Sequence, residues 1–396
     1  MKILCVNAGS SSLKFQVYEM PEEKVLINGY IEKIGASDCF WTIKINGEKI
    51  KSERYLKDHT EAVAVLIEEL YKNNIVKSLD EIKGIGHRVL HGGEKYSDSV
   101  VITDEVINDI VELTKLGPLH HPGNLAGINA MKKELDVPNV AVFDTAFHQT
   151  IPKENYLYPT PYEWYTKYGV RKYGFHGTSH KYITETMKNK LNKDSVNLII
   201  CHIGSGASIA CIKDGLCYDT TMGITPLDGL MMGTRSGAID ASILEYVCRE
   251  SSMTINEVTN ALNKQSGLLG VCGSCDCRDV EAKVEENDEL AKTALTMYTN
   301  RIANYIANYY LELNGNVDSI IFTAGVGENG ILERKMVLDK LSPLGICIDD
   351  ELNSNIASFK SNREGVITTK DSKIKVEVLP TDEEIIIARD TYRLVK

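Results

Sequence analysis

Two stretches of this chain follow one plan, and together they limit what it can fold into. Ile3-Leu4-Cys5-Val6 is an apolar run that enters the small polar turn Asn7-Ala8-Gly9-Ser10-Ser11-Ser12; the alternating run Leu13–Tyr18 leaves it. Leu198–Ile212 repeats this as strand, Gly/Ser turn (Gly204-Ser205-Gly206) and strand, and Ser319–Gly330 is a third apolar run that ends in glycines. Glycine lets a backbone fold tightly against a ligand, and hydroxyls, free N–H groups and the Lys14 ammonium are donors that suit phosphate. One Ser/Gly turn alone is an ordinary hairpin turn. Two of them about a domain apart suggest two related halves that close over one polyphosphate.

A chain of 396 residues has core enough for two or three domains. Net charge is −11 and the pI about 5.4, which argues against a nucleic-acid surface. An acidic protein that binds an anion must gather its few cations where the anion sits, so individual Arg, Lys and His residues become informative. The four apolar residues after Met1-Lys2 are too few for a signal-peptide core, and no run approaches a membrane span. The ten cysteines are scattered, several in apolar strands, so reduced thiols in a cytoplasmic protein are expected. Cys272, Cys275 and Cys277 lack a fourth ligand nearby and read as a loop with incidental thiols.

Strands alternate with helices along the chain, which makes the class α/β. Residues 1–50 read as β, 60–73 as an amphipathic helix, 82–90 as a strand that runs into Gly86-His87-Arg88-Val89-Leu90, and 140–143 as a strand that stops at Asp144. The segment 151–173 reads as irregular. Residues 290–313 read as a long helix with Leu290, Ala294, Met297, Ile302, Tyr305, Ile306 and Tyr309 in register. Thr381-Asp382-Glu383-Glu384 reads as a capping box that opens a last helix to Leu394.

Asn7–Lys14, Gly86–Val89, Asp144–His148, Tyr173–His180, Met232–Gly237 and Gly325–Asn329, in this order over residues 2 to about 393, resemble the acetate kinases. That family belongs to the superfamily of acetate and sugar kinases, heat-shock chaperones and actin. The resemblance implies two duplicated actin/ribonuclease-H-like domains with a nucleotide cleft between them. The first is expected over 1–146, with the C-terminal helix 384–396 packing back on it. The second, over 147–383, is expected to bind nucleotide and form a homodimer. The implied reaction is reversible phosphoryl transfer between ATP and acetate with Mg²⁺ or Mn²⁺, and hinged closure of the two halves would exclude water. Relatives in the superfamily also imply alternatives: a propionate or other short-chain carboxylate kinase, a sugar kinase that uses Asp144 as base, or an ATP-driven switch.

The chemistry agrees with this. A carboxylate is already ionised at neutral pH, so the task is to bring an anion to a polyanion and hold the charge of the transferring group. Paired guanidinium donors suit that task, which favours Arg88 and Arg235. By resemblance, Asp144, Arg88, Arg235 and His176 are catalytic, with Asp144 orienting either Arg88 or a metal-bound water, and Arg88, His120, Leu90, Leu119, Phe175 and Pro226 bind the acid. Lys14, Ser10, Ser12, His202, Ile203, Gly204, Ser205 and Gly206 hold phosphate, while Asp276, Cys277, Arg278, Gly325, Val326, Gly327, Glu328 and Asn329 flank adenosine. Asn7 and Glu383 hold the metal. This chain departs from the family at Ser205 (usually Asn), His121 (Asn), Asp382 (Asn) and Cys277 (Met). Leu90 stands where Val is frequent and narrows the expected acyl pocket.

Overall fold

The computed structural model describes residues 1–396. They form two compact units, Met1–Gln149 with Asp382–Lys396, and Thr150–Thr381.

The first unit is built on an eight-stranded sheet. Its strands are β1 (Lys2–Ala8), β2 (Ser12–Glu19), β3 (Lys24–Glu32), β4 (Phe40–Ile45), β5 (Glu48–Glu53), β6 (Ile82–Val89), β7 (Val100–Val101) and β8 (Asn139–Phe143), in the order β5-β4-β3-β2-β1-β6-β8-β7. β1 to β5 form an antiparallel meander, and β6 and β8 extend it in parallel with β1. Strand alternation divides the side chains of β1 and β2 between two faces. Leu4, Val6, Leu13, Phe15 and Val17 join a core with Val63, Leu66 and Leu70 of helix α1 (His59–Lys72). Ala130 and Met131 of helix α3 (His121–Glu134) close that core; the short helix α2 (Asp104–Glu112) precedes them.

The C-terminal helix Glu383–Val395 covers the opposite face. Gly84 and Gly86 allow it: a methyl group on Gly86 would lie 2.5 Å from the Ile387 side chain and 2.2 Å from the Thr391 hydroxyl. The helix cap differs from the expected box. Asp382 accepts from the Ile385 N–H at 2.9 Å, whereas the Thr381 hydroxyl bonds Ser179 at 2.8 Å. An aspartate one residue later offers the better-placed acceptor.

The second unit repeats the strand order on six strands: β9 (Leu198–Ile203), β10 (Ala207–Lys213), β11 (Leu216–Thr220), β12 (Ser319–Thr323), β13 (Gly365–Val366) and β14 (Val376–Val378), arranged β11-β10-β9-β12-β14-β13. Three antiparallel strands are followed by two parallel ones, matching the inner strands β3-β2-β1-β6-β8 of the first sheet, the duplicated actin-like pattern. The long helix spans Glu289–Glu312 and buries Ala294, Ile302, Ile306 and Tyr309, but Leu290 and Met297 are exposed, outside the core stripe expected of them. The segment 151–173 is more regular than expected, with short helices Lys153–Tyr156 and Tyr162–Tyr168 joined by the Tyr156–Tyr165 ring contact.

Candidate active site

In the first unit the sheet's period of two sets the site. Asn7 faces Lys14 across the β1–β2 hairpin, and in β6 Arg88 follows His87, the residue in register with Val6. All three project on the face that carries the C-terminal helix. That helix begins beside them: the Cys5 thiol bonds the Glu384 carbonyl at 3.5 Å, and the Tyr18 hydroxyl reaches Asp382 at 3.3 Å. A recess of about 200 Å³ is lined by Asn7, Gly9, Ser12, Lys14, Arg88, Leu90, His120 and Asn124.

Arg88 is held from behind. Its Nε donates to Asp144 Oδ1 at 3.0 Å and its Nη2 to Oδ2 at 2.5 Å. Asp144 is fully buried at the end of β8, while the Arg88 side chain keeps 25% exposure. The carboxylate thus grips one edge of the guanidinium and sits behind the lining. Burial pushes Asp144 above the ordinary carboxylate range, and Arg88 pulls it back. For Arg88, burial opposes the charge, but Asp144, Glu383 and Glu384 outweigh it and raise the pKa.

Two residues with no role in the sequence reading organise the recess. Asn124 Nδ2 donates to the Ala8 carbonyl at 2.8 Å, and its Oδ1 accepts from the Leu90 N–H at 3.1 Å, so one buried amide ties the β1–β2 turn to the end of the Arg88 strand. His121 accepts from the His91 N–H at 3.2 Å and donates to the Ile110 carbonyl at 2.9 Å. Both ring nitrogens are used by a neutral imidazole, and burial lowers its pKa. This fixes the start of α3, where His120 meets the recess. Gly123 lets α3 approach the turn: a methyl there would lie 2.6 Å from the Gly9 carbonyl. Leu119 is 61% exposed and lies outside the lining, because it sits in the loop before α3.

In the second unit, the Gly204 N–H bonds the Gly206 carbonyl at 3.1 Å and closes the second turn. A methyl group on Gly206 would lie 3.4 Å from Arg235 Nη1 and 3.5 Å from His176 Nε2; one on Gly204 would lie 3.8 Å from Ala324 Cβ. The fold therefore gathers the turn, Arg235, His176 and the Gly325 segment, while Gly233 packs against Cys275, beside Asp276. His176 has φ +58°, a left-handed conformation uncommon among residues other than glycine. Its Nδ1 bonds the Ser208 hydroxyl at 2.8 Å, and its ring stacks on His202 at 4.1 Å.

Arg235 Nη1 donates to the Pro226 carbonyl at 3.2 Å, and no carboxylate pairs with it. Burial lowers its pKa. The side chains of Phe175 and Ile203 are buried. Glu328 accepts from the Ala324 and Thr381 N–H groups, and Asn329 links the Gly325 carbonyl to Ser358. These two side chains shape the turn. Asp276 caps the helix Cys277–Glu285 and forks onto exposed Arg278. No three His, Cys, Asp or Glu side chains are grouped to hold a metal.

Residues 2–389 match the acetokinase family. The chain belongs to that family. It is 52% identical to an acetate kinase of Bacillus cytotoxicus over 99% of this chain and 98% of that one, and 51% identical to an acetate kinase of Bacillus velezensis over the full length of both. Among solved structures, the acetate kinase of Porphyromonas gingivalis is 42% identical with a TM-score of 0.93 over all of both chains. The propionate kinase of Francisella tularensis is 41% identical with a TM-score of 0.94 over 99% of each. Members named for two different acids are thus about equally near in fold.

Proposed function

We propose that the protein is an acetate kinase: it transfers the terminal phosphoryl group of ATP to acetate, giving acetyl phosphate and ADP, and runs in both directions. The observation that carries this reading is Arg88, clamped along one edge by buried Asp144 while it lines a small recess beside apolar Leu90. A carboxylate fits such a partner better than a sugar does.

The acid is already an anion, so no side chain has to remove a proton. A carboxylate oxygen forms a bond to the terminal phosphorus, the bond to the bridging oxygen breaks, and the electron pair leaves on ADP. Arg88 and His120 take the carboxylate, and Asp144 acts through Arg88 as a positioning residue. Lys14, Ser10, Ser12 and the Gly204–Gly206 turn take phosphate oxygens, with Arg235 and His176 on the transferring group. An unpaired, partly desolvated guanidinium is worth most where charge spreads over phosphoryl oxygens. Asp276–Arg278 and Gly325–Asn329 take the adenosine.

Asn7 and Glu383 offer an amide oxygen and a carboxylate, the hard donors that Mg²⁺ or Mn²⁺ accepts in small number alongside water and phosphate. Bound there, the ion would draw charge from the phosphate oxygens. Leu90, 7% exposed, bounds the acyl end, which favours acetate, whereas the likeness to a propionate kinase supports the longer acid as second reading. A homodimer through the second unit is supported by Ile243, Tyr246, Ile255, Leu290 and Met297, which its helices leave exposed. No helix is long and apolar enough to cross a membrane, and ten free cysteines support a reducing cytoplasm.

The test is a panel of acetate, propionate, butyrate and glycerol with ATP and Mg²⁺, with acyl phosphate trapped by hydroxylamine. Trapped product with acetate above propionate is expected. Turnover of glycerol alone would overturn the assignment.

A further inference from the structure

The first phosphate turn is held by a histidine that lies outside the recess. The His59 ring, at the start of α1 and 8% exposed, places Nε2 2.8 Å from the Gly9 carbonyl oxygen. A carbonyl can only accept, so Nε2 carries the proton. His59 is absent from the recess lining and instead borders a separate hollow between α1 and α3, beside Thr60 and Asn129. The neighbouring Ala8 carbonyl is held by Asn124, and the Gly9 N–H by the Ser12 carbonyl at 2.9 Å.

We infer that His59 is a positioning residue for phosphate binding: by fixing the Gly9 carbonyl it sets the direction in which the turn offers its next donor. The link is the planar trans peptide. The Gly9 carbonyl and the Ser10 N–H belong to one peptide unit and point in opposite directions. Anchoring the oxygen on α1 aims the Ser10 N–H away from α1. Glycine gives this peptide little resistance to rotation, so without an anchor the unit would sample other orientations. An amide that wanders loses its preorganised contact with an anion and gives up part of the binding free energy. The α3 backbone at Gly123 closes the remaining side of the turn, so rotation is checked by packing on one side and by His59 on the other.

The inference rests on the reading that this turn grips nucleotide phosphate. The experiment compares wild type with His59→Leu, which keeps bulk without a donor, and His59→Gln, whose amide can replace Nε2–H. Calorimetry with Mg-ATP gives nucleotide affinity, and steady-state kinetics give separate KM values for ATP and acetate. Loss of one aligned hydrogen bond predicts about tenfold weaker ATP binding and a matching rise in the ATP KM for His59→Leu. The acetate KM should stay within about twofold, and His59→Gln should recover most of the loss. A His59→Leu protein of lower thermal stability but unchanged ATP affinity would overturn the inference, as would a Gln variant no better than Leu. Wild type that binds ATP but forms no acyl phosphate would overturn the kinase reading instead; the calorimetric comparison would still decide the role of His59.

Discussion

Asp144→Asn changes one atom and tests how the recess is built. In the wild type both carboxylate oxygens face donors, Nε at 3.0 Å and Nη2 at 2.5 Å. An asparagine can satisfy one of these; its NH₂ then meets the other donor, and the fork becomes half attraction and half repulsion. Asp144 is fully buried, so removing its charge strips a buried ion pair, a change worth about 3–5 kcal/mol. Arg88 is 25% exposed and still feels Glu383 and Glu384, which places the stability loss near the lower bound, about 3 kcal/mol. The catalytic loss should exceed what partial unfolding explains. A guanidinium released from its clamp no longer presents a fixed edge, and losing one preorganised charged donor costs about a hundredfold or more in rate. The assay pairs urea unfolding with kcat/KM for acetate, measured where the variant is fully folded. A folded Asp144→Asn enzyme within about threefold of wild type would refute the clamp reasoning.

Arg235→Ala should lower kcat about a hundredfold or more while leaving the urea midpoint unchanged or slightly raised, since it removes a partly buried cation without a carboxylate partner; a large stability loss would show that the arginine is structural. Leu90→Val should raise the propionate-to-acetate ratio of kcat/KM about tenfold, and an unchanged ratio would remove Leu90 from the acyl wall. Glu312 supplies a pH test: burial, with Asp219 nearby, pushes its carboxyl up to about 7, and Oε2 has no partner. Through the window from the ordinary carboxylate range to about pH 7, the folded state keeps a proton that the unfolded state has lost, so this group lowers stability as pH rises and adds no further slope above that window. Glu312→Gln should therefore stabilise the protein more at about pH 8 than at about pH 5, judged by urea midpoints; equal gains would sink the assignment.

The backbone plan was legible because strands write themselves as period-two patterns. Leu4 and Val6 alternate with Cys5 and Asn7, and that alternation already puts Asn7 and Lys14 on one face. Arg88 was legible as a scarce cation at a strand end in an acidic chain. What escaped the sequence were side-chain bonds to distant main chain. Nothing local marks Asn124 as the link between Ala8 and Leu90, or His59 as the anchor of Gly9. The bond from Arg88 to Asp144 spans 56 residues, so the sequence alone could not settle whether Asp144 orients Arg88 or a metal-bound water. Leu119 shows the converse: an apolar residue in a promising loop faces solvent, and only the path of the chain into α3 decides that. Nor does the sequence show that the Glu328 and Asn329 side chains bond backbone N–H and carbonyl groups of their own turn.

The most direct test is the turnover of Arg88→Ala with acetate, Mg²⁺ and ATP, with and without added free guanidinium ion. Acetyl phosphate formation should fall by several orders of magnitude in a folded protein that still binds ATP, and guanidinium should restore part of it. Full turnover without any added cation would contradict the account.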